Sequence, residues 1–244
     1  MINHYLIQKA LRTKLLELEV VTTGSTSISA TSTGYARAAG SFLADGFVAG
    51  LEVTGTGFSN SANNTAKTVT SVTAAAMVCS GTTTEAAGSR TIAVNLPLNR
   101  AWENVELQKT RGEPWIQEEY IPGPMSKETL GPLGQLEVLP LYVLKIYVPS
   151  GMGIGAARSY ADALITLFAP STAISIVTGM LLLETGDDLL QETGDFIILE
   201  SGGDTARVRN DVSPFAGQLL QDVIPGFATV PISVPLRMRT ANSI

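Results

Sequence analysis

The chain has one cysteine, Cys79, and one histidine, His4, in 244 residues. A single cysteine excludes an intrachain disulfide and any thiolate cluster for zinc. A single histidine excludes a two-histidine metal site and leaves a Ser–His–Asp triad without support. Charge is also scarce, at 16% of residues, with a net −6. An acidic surface gives duplex DNA or an anionic membrane no electrostatic reason to bind, although DNA can slide through an acidic channel without sticking. No run of eighteen apolar residues occurs. The opening MINHYLIQKALRTKLLELEV is interrupted by Lys9, Arg12, Lys14, Glu17 and Glu19. It is neither a signal h-region nor a membrane span, and the expectation is a protein made and folded in a cytoplasm.

Apolar residues make up 45% of the chain, enough to bury a core. Asn3 is a candidate N-cap for a helix to about Leu18, with Ile7, Leu11, Leu15 and Leu18 on one apolar stripe. From Thr22 to Thr91 the composition shifts to Thr, Ser, Ala and Gly. The only charges there are Arg37, Asp45, Glu52, Lys67, Glu85 and Arg90. Short alternating runs (26–32, 47–53, 67–79 and TIAVNL) separated by Gly and Asn turns predict a small all-β barrel or sandwich. Nothing basic flanks Cys79 in sequence, so it is expected to pack there as a small hydrophobe.

Beyond residue 100, AWENVELQ and PWIQEEYIPG read as strands around a turn at RGEP, and QLEVLPLYVLKIYVPS reads as one long strand. SYADALITLFAP has helical spacing with Pro170 just past its end. FATVPISVPLRMR alternates strictly at Val230, Ile232, Val234 and Leu236. Between them lie three octads, LLLETGDD, LLQETGDF and IILESGGD, predicted as a β-meander extension over 177–204. Their spacing matches neither an EF-hand nor the nine-residue β-roll, so no calcium site is expected.

Gly151, Gly153 and Ala156 form GMGIGA, a formal dinucleotide fingerprint. It lacks the acidic residue about twenty positions on, so a strand-to-helix loop is the simpler reading. Glu118–Glu119 and Asp187–Asp188 are adjacent carboxylates; strand neighbours face opposite ways and cannot cooperate as an acid–base pair. They are expected to be solvated or interface charges. Trp102 and Trp115 are expected to anchor a core or a subunit interface. No catalytic, cofactor or metal residues are assigned, and the chain is not expected to be an enzyme.

AWENVELQ, the strand entering Ile121–Gly123, LYVLKIYVPSGMG, SYADALITLFAP and VPISVPLR together resemble the tail terminator-like (tail completion) proteins of long non-contractile-tailed phages. The β stretch and the acidic-turn octads are similar to parts of phage structural proteins. The resemblance covers about 1–21 and 100–244, with residues 22–99 as an inserted β module (barrel or Ig-like sandwich) and 177–204 as an extension. It implies an α+β fold, a small and mostly antiparallel sheet with packed helices. It also implies a homo-hexameric ring in the virion tail or neck that caps the tail tube, ends its polymerisation and offers the head-joining surface. Expected partners are further copies of the chain, the tail tube protein, a head-completion or connector protein and the genome passing through the lumen, with no membrane. Candidate contact residues are Trp102, Glu103, Asn104, Trp115, Glu118 and Glu119. The alternatives are another neck, connector or minor tail protein whose β module binds a ligand, and a nucleotide-binding enzyme using GMGIGA. The module is expected to decorate the outside of the ring.

Overall fold

The computed structural model describes residues 4–97, 99–102, 112–127, 135–176, 205–208, 214–217 and 220–241. The octads and the predicted meander at 177–204 lie outside them. The chain is mostly β, with 48% strand, and two α-helices lie among the described residues. Strand therefore outweighs helix more than the α+β expectation allows for.

Helix α1, His4–Leu15, buries Ile7, Leu11 and Leu15. Three short-range amide bonds then tighten the chain through Leu18, which is also buried. The predicted apolar stripe is thus the packed stripe. Strand β1 (Glu19–Thr22) leads into β2 (Thr26–Thr31), β3 (Gly34–Arg37), β4 (Glu52–Thr56), β5 (Ala66–Val72), β6 (Ala76–Cys79) and the eleven-residue β7 (Glu85–Asn95).

These strands close into a six-stranded antiparallel barrel, with β1 extending it. Closure depends on β7. Its first half pairs with β2 (Thr26↔Arg90) and its second half with β4 (Thr56↔Thr91), so one strand forms both edges of the seam. A closed barrel leaves no free strand edge for unwanted pairing. Gly34 is needed at one crossing: its φ is 149°, and a Cβ there would lie 1.9 Å from the Met77 carbonyl oxygen. Ile28, Tyr35, Val53, Val69, Met77, Cys79 and Ile92 are buried side chains of these strands. Burial pushes the Cys79 thiol up to about 11, outweighing the lowering effect of nearby Lys67, so it is an inert thiol at neutral pH.

The loop before β5 is held by Glu85. Its carboxylate accepts the Ser59 amide at 2.8 Å, the Asn60 amide at 3.1 Å, buried Asn63 Nδ2 at 3.0 Å and Arg90 Nη2 at 2.6 Å. Tyr35 donates to the Asn63 carbonyl at 2.7 Å, tying the same loop to β3.

The second sheet has ten strands. They are β8 (Asn99–Ala101), β9 (Trp115–Ile121), β10 (Met125–Lys127), β11 (Gln135–Val138), β12 (Leu141–Pro149), β13 (Ala173–Ser175), β14 (Thr205–Val208), β15 (Phe215–Ala216), β16 (Leu220–Ile224) and β17 (Phe227–Ala241). This sheet is larger than the small one expected. All its pairings are antiparallel except β8–β9. The predicted single strand over QLEVLPLYVLKIYVPS is broken at Leu139–Pro140 into β11 and β12, both on one side of β17. AWENVELQ contributes only its first residue to β8, and 103–108 lie outside the described residues.

The fifteen-residue β17 is the spine of this sheet. It contains Pro231 and Pro235, which a centrally paired strand normally excludes. The carbonyl of Pro231 accepts the Gly217 amide at 2.7 Å, whereas the Leu236 amide turns the other way, to Pro140. Odd-numbered residues therefore direct their backbone groups away from β12. On that side the described partner comes in three short pieces, β14, β15 and β16, and each proline sits at a break where no ladder donor is required.

Helix α2, Gly155–Leu167, packs Tyr160, Ala161 and Leu164 onto the β12–β17 face, with Tyr142 edge-on to Phe168 at 6.1 Å. The barrel joins this layer directly. The Glu52 amide donates to the buried Tyr160 hydroxyl at 3.0 Å, and a Cβ on Gly50 (φ +88°) would meet Ala156 Cβ at 3.1 Å. One continuous apolar core links barrel, helices and sheet. The barrel therefore shares its packing with the rest of the subunit, and excising it uncovers the N-terminal half of α2.

Two measurements check these contacts. Tyr160→Phe leaves the buried Glu52 amide without its acceptor, and urea titration is expected to show a loss of about 1–3 kcal/mol. The Ser59 amide, with Asn60, Asn63 and Arg90, holds the Glu85 carboxyl below its usual range. A depressed folded pKa gives stability that is complete above the unfolded value near 4.3 and fades as pH falls through the lower folded one. Urea midpoints are expected to drop in that acid window, and Glu85→Gln is expected to flatten the drop.

Candidate functional site

The two carboxylates of Glu118–Glu119 are separated by the pleat of β9, as expected, but their fates differ. Glu118 is 3% exposed. A buried carboxylate must be compensated, and three side chains from two elements do so. Arg12 of α1 reaches Glu118 Oε1 through Nε at 2.6 Å and also through Nη2, while Gln8 Nε2 donates to the same oxygen at 3.1 Å. Tyr142 of β12 donates to Oε2 at 3.0 Å. The Arg12 guanidinium also lies over the Trp102 ring, 4.9 Å from its centroid. One turn back, His4 Nδ1 and Tyr120 Oη share a 3.0 Å hydrogen bond. Burial pushes the Tyr120 hydroxyl up to about 12, while burial and then Glu118 raise that of Tyr142, so both stay protonated and Tyr142 remains a donor to Glu118. Glu118 is thus a structural clasp for α1 rather than a solvated or interface charge.

Glu119 points to the opposite face, 46% exposed at its side chain, and pairs with Lys145 at 2.8 Å. This outer face is built from alternate residues of β9, β12, β17 and β15. One end is closed by aromatics: Trp115 stacks on Tyr147 with centroids 3.6 Å apart, and Phe227 meets Trp115 edge-on. The other end is open. Ile121 is 41% and Phe215 55% exposed there, around the rung Ile121–Leu141–Pro235 and the neighbouring rung Glu119–Val143–Ser233–Phe215.

Of the six candidate contact residues, Trp115 and Glu118 are buried within the subunit, Trp102 is partly buried beneath Arg12, and Glu119 is open. Glu103 and Asn104 lie outside the described residues, as do Asp187 and Asp188. Sequence reasoning missed Ile121 and Phe215. Their signal was an apolar residue on the strand face opposite the buried one.

The GMGIGA loop has a packing explanation. Gly155, at the start of α2, lies against Val48 of the barrel, with a hypothetical Cβ 3.4 Å from it, and Gly50 closes on Ala156. Gly151 and Gly153 have positive φ and nothing within 4 Å of a hypothetical Cβ, so those two glycines answer to the backbone conformation of the loop. A shallow cleft between β1 and α2 is lined by Glu17, Val21, Ser159 and Asp162. No group of three metal-ligating side chains occurs among the described residues, and no helix among them is long and apolar enough to cross a membrane.

Among the described residues, buried Glu118 serves as an internal clasp, and the outer sheet face carries exposed Ile121 and Phe215 beside the Glu119–Lys145 pair. Residues 82–235, more than half the chain, match the family model for the phage tail terminator protein, and the chain belongs to that family. The match takes in β7 and most of the second sheet, and leaves α1 and β1–β6 outside. No curated protein matches the chain. One solved structure aligns with 59% of this chain and 79% of its own at 21% identity, with a TM-score of 0.36, too remote a likeness to place the fold. The family makes the protein a phage structural component of the virion tail.

A double-mutant cycle tests the Glu118 clasp. Arg12→Met, which leaves a buried carboxylate short of its cation, is expected to cost roughly 3 kcal/mol. Arg12→Met/Glu118→Leu is expected to be less damaging than the sum of the single changes in urea unfolding.

Proposed function

We propose that the protein is the tail terminator itself: a homo-hexameric ring seated on the last ring of the tail tube. It ends tube growth and presents the surface to which the head, through a completion or connector protein, is joined. The observation that carries this reading is the family match over 82–235. A tube grows because each ring exposes a face for the next. A terminator must match that face on one side and fail to recreate it on the other. Such a task needs complementary surfaces and no reacting groups, in keeping with one histidine, an inert cysteine and carboxylates committed to internal pairs. The net −6 suits a ring whose lumen passes the genome without holding it. The barrel, fixed to α2 by Tyr160 and Gly50, stands as a rigid part of the subunit.

Electron microscopy of a phage lacking this gene tests the reading. Overlong tails, or tails without heads, are expected, with normal length and joining restored by the gene in trans. Tails of normal length joined to heads in the deletion would reject it.

A further inference from the structure

Strand β1 ends its sheet. It pairs with β7 on one edge, and no strand among the described residues pairs with the other. The Thr23 amide donates to the Ile92 carbonyl of β7 at 2.9 Å, so by ladder alternation the backbone groups of Thr22 turn to the open edge. Edge strands are normally covered or charged. Beside β1 there is instead the cleft against α2, with a volume of about 530 Å3, within the ~300–1,000 Å3 of ligand-holding clefts.

The cleft has an apolar floor and one uncompensated charge. Val20, Val21, Ala163 and Leu167 line it, each partly buried. Gly46 forms part of the wall. Its φ is +95°, and a Cβ there would lie 3.6 Å from Val21 Cγ2, so glycine leaves this stretch of floor uncovered. The lining hydroxyls are engaged within α2: Ser159 donates to the Gly155 carbonyl at 3.0 Å and Thr166 to the Asp162 carbonyl at 2.9 Å. Glu17 is paired with Lys14 at 2.5 Å. Asp162 differs. It is exposed, and among the described residues its carboxylate makes no ion pair or hydrogen bond, not even with Arg158 one turn earlier. No lysine or arginine lines the cleft.

We propose that this cleft is a docking groove for an extended, cationic segment of another protein of the virion. The segment sets a lysine or arginine on Asp162 and an aliphatic side chain between Val21 and Ala163. Three features select that occupant. The open strand edge offers backbone donors and acceptors to an extended chain, the floor takes its alternate side chains, and the unpaired carboxylate favours a cation and repels an acidic segment. The groove can act in a ring or in a lone subunit.

The test uses the full chain with Thr166, an exposed lining residue, replaced by the photocrosslinker p-benzoylphenylalanine. It is supplied in trans during infection by phage lacking the gene, and adducts from assembled tails are sequenced by mass spectrometry. Adducts are expected on a different virion protein, at a stretch with lysine or arginine about two residues from the attachment point, the same-face spacing of a strand. In this background Asp162→Lys is expected to lower the adduct yield at least about tenfold and Asp162→Glu to retain it. Circular dichroism melts matching the parent chain confirm that each variant folds. Adducts confined to further copies of this chain, adducts on acidic stretches, or a yield indifferent to Asp162→Lys would overturn the groove. Tails of normal length with no adduct at all would overturn it too, and leave the termination reading standing.

Discussion

The structure depends on the burial of one carboxylate. Glu118 sits on the core face of the second sheet, where an uncompensated charge is prohibitive. Its partners come from α1 (Gln8, Arg12) and β12 (Tyr142), so satisfying it fixes the helix in rotation and in translation against the sheet. Apolar packing of Ile7, Leu11 and Leu15 would tolerate a modest slide of α1, because dispersion and hydrophobic burial are non-directional. A carboxylate that accepts from three side chains does not tolerate it. The outward stripe of α1 inherits its position from this contact, and so does any surface that α1 offers to another subunit.

A second constraint comes from β17. One fifteen-residue strand runs past β12 and β11 on one side and three short partners on the other. The prolines that interrupt its donors on that second side alternate with the core residues of β17; Pro231 is half-buried and Pro235 buried. Each lies where the short partner strands break, so neither adds hydrogen-bonding demand. Alternation gives β17 a core face of Val230, Ile232, Val234, Leu236 and Met238. It also leaves the opposite face free to evolve as a surface.

Periodicity carried much of this into the sequence. The stripe of α1, the α2 spacing and the alternation of β17 each follow from one element meeting one core, so local pattern was enough. The β character of the 22–99 stretch was legible for the same reason. What was hidden depended on pairs distant in sequence. Glu118 looked like a solvated charge because its cation lies 106 residues upstream. Barrel closure was not visible because it depends on β7 pairing with both β2 and β4, and the contacts of Val48 and Gly50 with the start of α2 likewise join residues distant in sequence. The break at Leu139–Pro140 was readable in principle, since proline disrupts a ladder, yet the apolar run on both sides masked it.

The barrel's attachment bears on how such a subunit works. A module joined by flexible linkers contributes its own binding surface and little else. Here the Glu52 amide is held by the Tyr160 hydroxyl, Gly50 lies against Ala156, and β1 leads directly from α1 into the barrel wall. Glycine at positions 50 and 155 removes the side chains that would otherwise hold the layers apart. Barrel, helices and sheet then respond to load as one body. For a phage tail protein, rigidity of this kind is a functional property. The orientation of any face it offers in assembly is set within the fold and need not be acquired, at an entropic cost, on binding.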